Sequence, residues 1–437
     1  MGRNGCSFAH LLFADKSLLF FKKDNESLLN LQNTLQWYCS LSRQSINLTK
    51  SDLFYSPNMP SEEQSTLARL LQVNLVQTPS KYLGLDFKLR GKRVVDFKFL
   101  EDKLLSKLQG WKARWLSQAG WGILIKSVLQ SIPMYTFSYF KVPNTTCKNL
   151  DTIVRNFWWG HDQEVKNCIW FHWDKLCENR KEGGIGFRKF NLMNQAMLAK
   201  QFWRISHNPQ SLMARTLKAK YFPRCSIHEC VPKPHHSWFW RSIVKQDNTK
   251  LKEGRWWVGN GWDIPFQHPI WFQCPTQNLL NPNLVSGTVA DLIDHTAGIW
   301  KADLVRSIYT GPQCSNILRI PLSKTGAVAD KVLWKHSTSR EFVVKNAYKM
   351  LLKDEALKSP GHLRPPLIPC EVWNLIWNVK VPYKVNLFIW RILQDSIPTF
   401  LTLKNKGIGT NSTCPLCNED DESTSHIFLH CTFARAC

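Results

Sequence analysis

The chain has 437 residues, 43% of them hydrophobic with 20 tryptophans, which is enough for two or three domains with sizeable cores and excludes disorder throughout. Its 57 Lys and Arg against 33 Asp and Glu leave a net charge of +24, which favours a polyanionic partner such as RNA or DNA, the alternative being a basic surface without a site. Fourteen cysteines lack the dense spacing of a disulfide scaffold, Asp15 and Lys16 interrupt the first apolar stretch, and Lys126 and Pro133 break the longest one, so export and membrane spanning are both disfavoured.

HLLFADKSLLFF, His10 to Phe21, reads as two short buried strands joined by a tight turn carrying Asp15 and Lys16. An Asp there is either a solvated turn residue or, lifted out of the sheet, an oxygen ligand for a hard divalent cation. Lys16 puts a positive charge where a second such ligand would stand. Next, ESLLNLQNTLQWYCSLS predicts an amphipathic helix with Leu28, Leu31, Leu35 and Tyr38 at helical spacing, and SINLTKS a short strand. DFKFLEDKLLSKLQGW predicts a helix with Phe97, Leu100, Leu104, Leu108 and Trp111 on one face, Lys103 and Lys107 away from it, and Gly110 at its end. Eleven basic residues lie between Lys81 and Lys126 against four acidic ones. Of these, Lys103, Lys107, Lys112, Arg114 and Lys126 are the candidate nucleic-acid contacts, because Trp111, Trp115 and Trp121 interleave stacking faces with the cations, as single strands favour.

AGWGILIKSVLQSI predicts a further helix up to Pro133. The glycines of KEGGIGF match no phosphate-binding loop and read as a turn. Helices follow at NLMNQAMLAKQFWRIS and SLMARTLKAKYF, with Asn191 and Ser211 as N-caps, and RWWVGNGWDI reads as a hairpin turning at Asn260-Gly261. Residues 275–323 carry a weak pattern and read as a connection of uncertain structure. REFVVKNAYKMLL then switches from strand to helix. EVWNLIWN and PYKVNLFIWRILQ are helical, and IPTFLTLKNKG has Pro398 near a helix start and Gly407 past its end.

CPLCNEDDESTSHIFLHC places Cys414 and Cys417 as C-x2-C, with His426 after eight intervening residues and Cys431 after four more. Two sulfurs on one knuckle, and a His and a Cys on a following turn, supply the four ligands of a closed tetrahedral zinc site. The alternative is a redox pair with a bystander thiol, though the polar, Trp-poor loop is not a thioredoxin-like setting. His430 competes with His426 and ranks below it because it abuts Cys431. Four protein ligands leave no position for water, which makes the zinc structural.

In order, HLLFADKSLLFF, INLTKS, YLGL, KLQGWKARWLSQAGWGILIKSVLQSIPMY, FWWG, the block from Trp173 to Ile205, LKAKYFP, RWWVGNG, VKNAYKMLL, VPYKVNLFIWRIL and CPLC with its His and Cys resemble the C-terminal part of a plant LINE-type (non-LTR) retrotransposon reverse transcriptase with its zinc-binding domain. The resemblance implies that His10 to Phe21 is the polymerase palm hairpin, with Asp15 matching the first metal-binding aspartate and Lys16 standing where the second belongs. It also implies that Asn47 and Lys50 lie near the nucleotide. Arg43 replaces a glycine usual before Gln44, and Asp86 a proline usual after YLGL.

The expected fold is α+β and mostly helical: a truncated palm remnant over residues 1–56, a basic, Trp-rich, thumb-like region over 57–290, a linker over 291–329 and a zinc-binding domain over 330–437. Relative to the family, the upstream palm strand with its aspartate, the fingers, the endonuclease and a ribonuclease H domain are expected to be missing. One carboxylate cannot hold two divalent ions, and Lys16 repels them. The expected function is therefore a degenerate reverse transcriptase-like protein without polymerase activity that holds structural zinc, binds RNA or DNA, takes no small-molecule substrate, and resides in the nucleus or cytoplasm. The alternatives are an RNA-directed DNA polymerase, using magnesium, within a longer or complemented chain, and a host protein that reuses the zinc module for protein contacts.

Overall fold

The computed structural model is α+β and mostly helical, and each sheet among the described residues has two strands. The structure describes residues 9–56, 58–77, 81–86, 94–110, 116–160, 168–245, 248–265, 287–309, 311–322, 328–337, 341–358 and 368–437. Two units form, one from Met1–Gly91 with Arg204–Val244 and the other from Lys92–Trp203 with Lys245–Cys437. They cut across the boundaries read from sequence, because residues 57–290 contribute to both and the C-terminal module shares a unit with residues 92–203.

In the first unit, β1 (His10–Phe13) and β2 (Lys16–Leu19) pair antiparallel with Phe13 opposite Lys16, and Ala14 turns the chain at φ 49. The hairpin is as expected, but its strands are not buried: Leu12 and Phe13 are 66% and 61% exposed, since no further strand among the described residues pairs with either. The helix α1 (Asn25–Ser42) begins at Asp24, which accepts from Ser27 N–H, and ends at Arg43 with φ 55. That is a left-handed position, which explains why the resembling family has glycine there. SINLTKS is not a strand. Asn47 Oδ1 accepts from the Lys50 N–H and closes a 3-10 turn over Leu48–Lys50, leaving β3 (Asp52–Leu53) to pair in parallel, beyond α2 (Ser61–Leu71), with β4 (Asn74–Leu75). A short ladder, β5 (Lys81–Tyr82) with β6 (Leu85–Asp86), follows.

The second unit opens with a 3-10 turn over Val94–Phe97 and α3 (Lys98–Gly110); Phe97 of the turn and Leu100 and Leu104 of the helix are buried as their spacing predicts. Helix α4 (Gln118–Leu124) continues into a π-turn over Ile125–Leu129, then come α5 (Met134–Phe137), α6 (Asn144–Trp158), α7 (Trp173–Cys177) and α8 (Phe190–His207). Asn191 lies inside α8 and does not cap it; the Asp151 carboxylate of α6 accepts from Phe190 N–H instead. Buried Asn194 is fully used, donating to Phe137 O and Phe140 O and accepting from Val142 N–H. Trp158, Trp173 and Phe187 interlock, with ring centroids 5.1 and 5.5 Å from Phe187, so these aromatics form core. Back in the first unit, α9 (Leu212–Tyr221) is capped by Ser211, as its spacing predicts, and α10 (Trp238–Val244) stacks Trp240 on Tyr221 at 4.9 Å.

RWWVGNGWDI does not fold as a hairpin. Its strand β7 (Gly254–Trp257) instead pairs antiparallel with β10 (Lys331–Trp334). Between them lie a hairpin of β8 (Ile293–Asp294) and β9 (Ile299–Trp300), then α11 (Ala302–Ile308) and α12 (Gly311–Leu318). The segment 291–329, expected as a linker, thus carries its own elements, and Val289, Leu292, Val305, Ile308 and Ile317 form a buried cluster with Val258 and Ile264. Residues 341–343 contain no strand. Helices α13 (Val344–Lys358), α14 (Cys370–Asn378), α15 (Tyr383–Leu393), α16 (Phe400–Asn405) and α17 (Thr432–Ala436) complete the chain. No described helix is long and apolar enough to cross a membrane, and none of the described cysteines is in a disulfide.

Candidate metal centre

Cys414, Cys417, His426 and Cys431 converge: their ligand atoms lie within 4.8 Å of one another, and no other such group of three or more forms among the described residues. Cys414 Sγ and Cys431 Sγ are 4.0 Å apart, and Cys417 Sγ and His426 Nε2 3.3 Å. A tetrahedral zinc with ordinary bond lengths spaces two sulfurs by about 3.8 Å and a sulfur and a nitrogen by about 3.5 Å. The donor set therefore fits a zinc-sized ion in both chemistry and spacing. His430 is exposed and outside the cluster, while His426 is 5% exposed.

Local backbone geometry builds the knuckle. Cys414 N–H donates to Asp420 O and Asn418 N–H to Cys414 O, with Asn418 in the left-handed region at φ 57. The N–H groups of Glu419 and Asp420 point at Cys417 Sγ and, with His426 and Cys414, bring its thiol down to about 7, towards the thiolate that a metal needs. His426 presents Nε2 to the sulfurs, and its Nδ1 lies 3.8 Å from the Asp420 carboxylate, on the side where a carboxylate orients a ligating imidazole. A π-turn over His426–His430 returns the chain, and Cys431 N–H donates to His426 O at 2.7 Å. Asp420 is the contributor that spacing alone does not disclose.

The module is anchored at both ends. Glu422 accepts from Phe400 N–H, and Phe388 of α15 meets Phe428 edge-on at 6.1 Å. Trp390 Nε1 and Gln394 Nε2 both donate to Gly183 O, at 2.8 and 3.0 Å. Gly183 has φ +86, and a Cβ there would lie 3.1 Å from the Trp373 ring. The KEGGIGF turn is therefore the seat of α14 and α15, a role that its glycines alone did not signal.

The other candidate residues do not form one site. Asp15 and Lys16 are exposed at the hairpin, and Asn47 is spent on its own 3-10 turn beside exposed Lys50. Lys103 and Lys107 are exposed on α3, Lys103 lying 5.2 Å from the Phe99 ring centroid. Lys112 and Arg114, with Trp111 and Trp115, lie outside the described residues. Lys126 is not an open contact. Its Nζ donates to Ile185 O at 2.7 Å over the Phe187 ring, and burial, reinforced by Arg180 and Arg188, brings its pKa from 10.5 to about 7. Trp121 packs beside Phe157 at 5.9 Å.

Residues 342–437 match the family described as zinc-binding in reverse transcriptase. An Arabidopsis thaliana protein named as a ribonuclease H protein is 28% identical over 338 residues, 76% of this chain and 53% of the relative, so the match spans about half of that relative's length. An uncharacterized mitochondrial protein of Arabidopsis thaliana is 39% identical over 115 residues, 26% of this chain and 75% of the relative. With the Cys3His knuckle inside the matched domain, the chain belongs to the plant retrotransposon-derived proteins that carry the reverse transcriptase zinc-binding domain.

Proposed function

We propose that the chain is a degenerate reverse transcriptase-like protein of non-LTR type that holds one structural zinc at Cys414, Cys417, His426 and Cys431, binds RNA or DNA through the basic face of α3, and does not polymerise. The four-ligand knuckle carries the zinc assignment, because four protein donors close the coordination sphere to water and substrate. Inactivity rests on the hairpin. Asp15 is exposed beside Lys16, and no group of three ligating side chains gathers around it among the described residues. Two-metal phosphoryl transfer needs carboxylates that clamp both ions, and a neighbouring ammonium raises the electrostatic cost of each.

The test is metal analysis together with primer extension on the purified full chain. One zinc per chain and no magnesium-dependent extension are expected. Extension that disappears in Asp15→Ala overturns the inactive assignment. The second reading, a polymerase acting within a longer or complemented chain, draws support from the 53% coverage of the ribonuclease H relative. It predicts that a longer product that keeps Lys16 extends primers, whereas extension only after Lys16→Asp supports the inactive reading.

A further inference from the structure

We infer that the outward face of the β7–β10 ribbon, together with Trp262, is a second contact surface for single-stranded nucleic acid, separate from α3. In the ribbon Lys331 sits opposite Trp257 and Leu333 opposite Arg255. Trp256, one position out of phase, packs on the Val289–Ile317 core, so the alternation of strand side chains places Arg255, Trp257, Lys331 and Leu333 together on the other side. Arg255 and Lys331 are exposed, and neither forms an ion pair among the described residues. Their strand neighbour Lys335 has an anionic partner in Glu253, which leaves these two as the uncompensated cations of that face.

An aromatic platform stands at the end of the ribbon where β10 begins. Trp262 is 61% exposed yet stacked on His295, with centroids 6.0 Å apart and planes 2° from parallel. Its loop is clamped. The buried Asp330 carboxylate accepts from the N–H groups of Gly259, Gly261 and Asp263, at 2.7, 2.9 and 3.0 Å. At Gly261, with φ +80, a Cβ would lie 2.4 Å from Ala290 N. Asp330 directly precedes Lys331, so the clamp ties the loop of Trp262 to the start of β10. On the other side, Asp294 holds the β8–β9 turn that carries His295 by accepting from Thr296 and Ala297 N–H.

An exposed indole on so rigid a backbone loses little entropy when a base stacks on it, and stacking tolerates any sequence. Exposed Asp263 beside Trp262 disfavours a phosphate at the ring. A strand lying here therefore puts a base on Trp262 and its phosphates towards Lys331 and Arg255.

The experiment uses the full chain and a fluorescein-labelled 12-nucleotide oligouridine, read by anisotropy across a salt series, with a duplex RNA of equal length as comparator. Trp262→Ala is expected to weaken oligouridine binding roughly tenfold, with Trp262→Phe retaining most of it. Arg255→Ala with Lys331→Ala is expected to lower the salt slope by about 1.4, two phosphates at about 0.7 each. Lys103→Ala with Lys107→Ala adds its own loss and leaves these effects in place. A second measurement needs no variant: 5-iodouridine crosslinking of the unaltered protein is expected to mark the peptide containing Trp262. Unchanged affinity and slope, equal loss on duplex, crosslinks confined to α3, or no oligonucleotide binding at all overturns the proposal.

Discussion

Stripping the metal from the full chain with a chelator is expected to unfold residues 400–437 while the helices around Trp158 and Trp203 stay folded. From Arg391 to Cys437 the buried residues are Ser396, Thr399, Ser412, Cys414, Thr424, His426 and Cys431. None of these is an aliphatic side chain or a Phe, Tyr or Trp. A fully buried Leu or Phe contributes about 1.5–3 kcal/mol, and this stretch has none to offer. A structural zinc on such a donor set contributes roughly 10–16 kcal/mol near neutral pH. A zinc bound there would therefore take the place of a hydrophobic core. Hydrogen exchange read by mass spectrometry, with zinc and after chelation, reports this directly. The amides of Cys414, bonded to Asp420 O, of Cys431, bonded to His426 O, and of Leu401, bonded to Glu422 O, should lose protection, and those within α6 and α8 should keep theirs. If metal analysis shows the zinc gone while those three amides exchange as slowly as before, the reasoning is wrong.

Lys126→Met should stabilise the second unit. Between pH 7 and 10.5 the unfolded chain holds a proton on Lys126 that the folded chain has released, so this residue makes stability rise with pH through that window, and its burial cost is complete below about 7. The ceiling is roughly 5 kcal/mol, and Ile185 O keeps Arg180 Nε as a donor when Lys126 is gone. Urea melts at pH 6 and pH 10 should show the larger gain at pH 6; a larger gain at pH 10 contradicts the sign. Asp330→Ala strands three loop N–H groups and should cost about 3 kcal/mol or more, seen as a lowered thermal midpoint. Arg43→Gly relieves a left-handed backbone and should stabilise the first unit by about 1 kcal/mol, a gain that denaturant melts can resolve. Trp390→Phe removes one of the two bonds to Gly183 O, Gln394 Nε2 keeping the other, and should loosen α15 by about 0.5–1.5 kcal/mol; if amide exchange in α15 is unaffected, the seat described for KEGGIGF is not what holds it.

Features written in local spacing are legible in the sequence itself. The Cys3His cluster is, because a C-x2-C knuckle and a following His and Cys within one short segment can reach a common centre without distant chain. The hairpin at Asp15, the buried stripe of α3 and the Ser211 cap are legible for the same reason. Tertiary structure decides whatever depends on partners far along the chain. Strand β7 pairs with β10, more than seventy residues away, in place of its own hairpin, because burying Trp256 and Val258 against the 289–317 cluster outweighs a local turn signal. Asp151 of α6 displaces Asn191 as the group that satisfies the N–H at the start of α8, and the carbonyl of Ile185 takes Lys126 out of the basic surface. Composition sets the charge of this protein and sequence order sets its Cys3His cluster; packing determines which of its cations and tryptophans are left facing water.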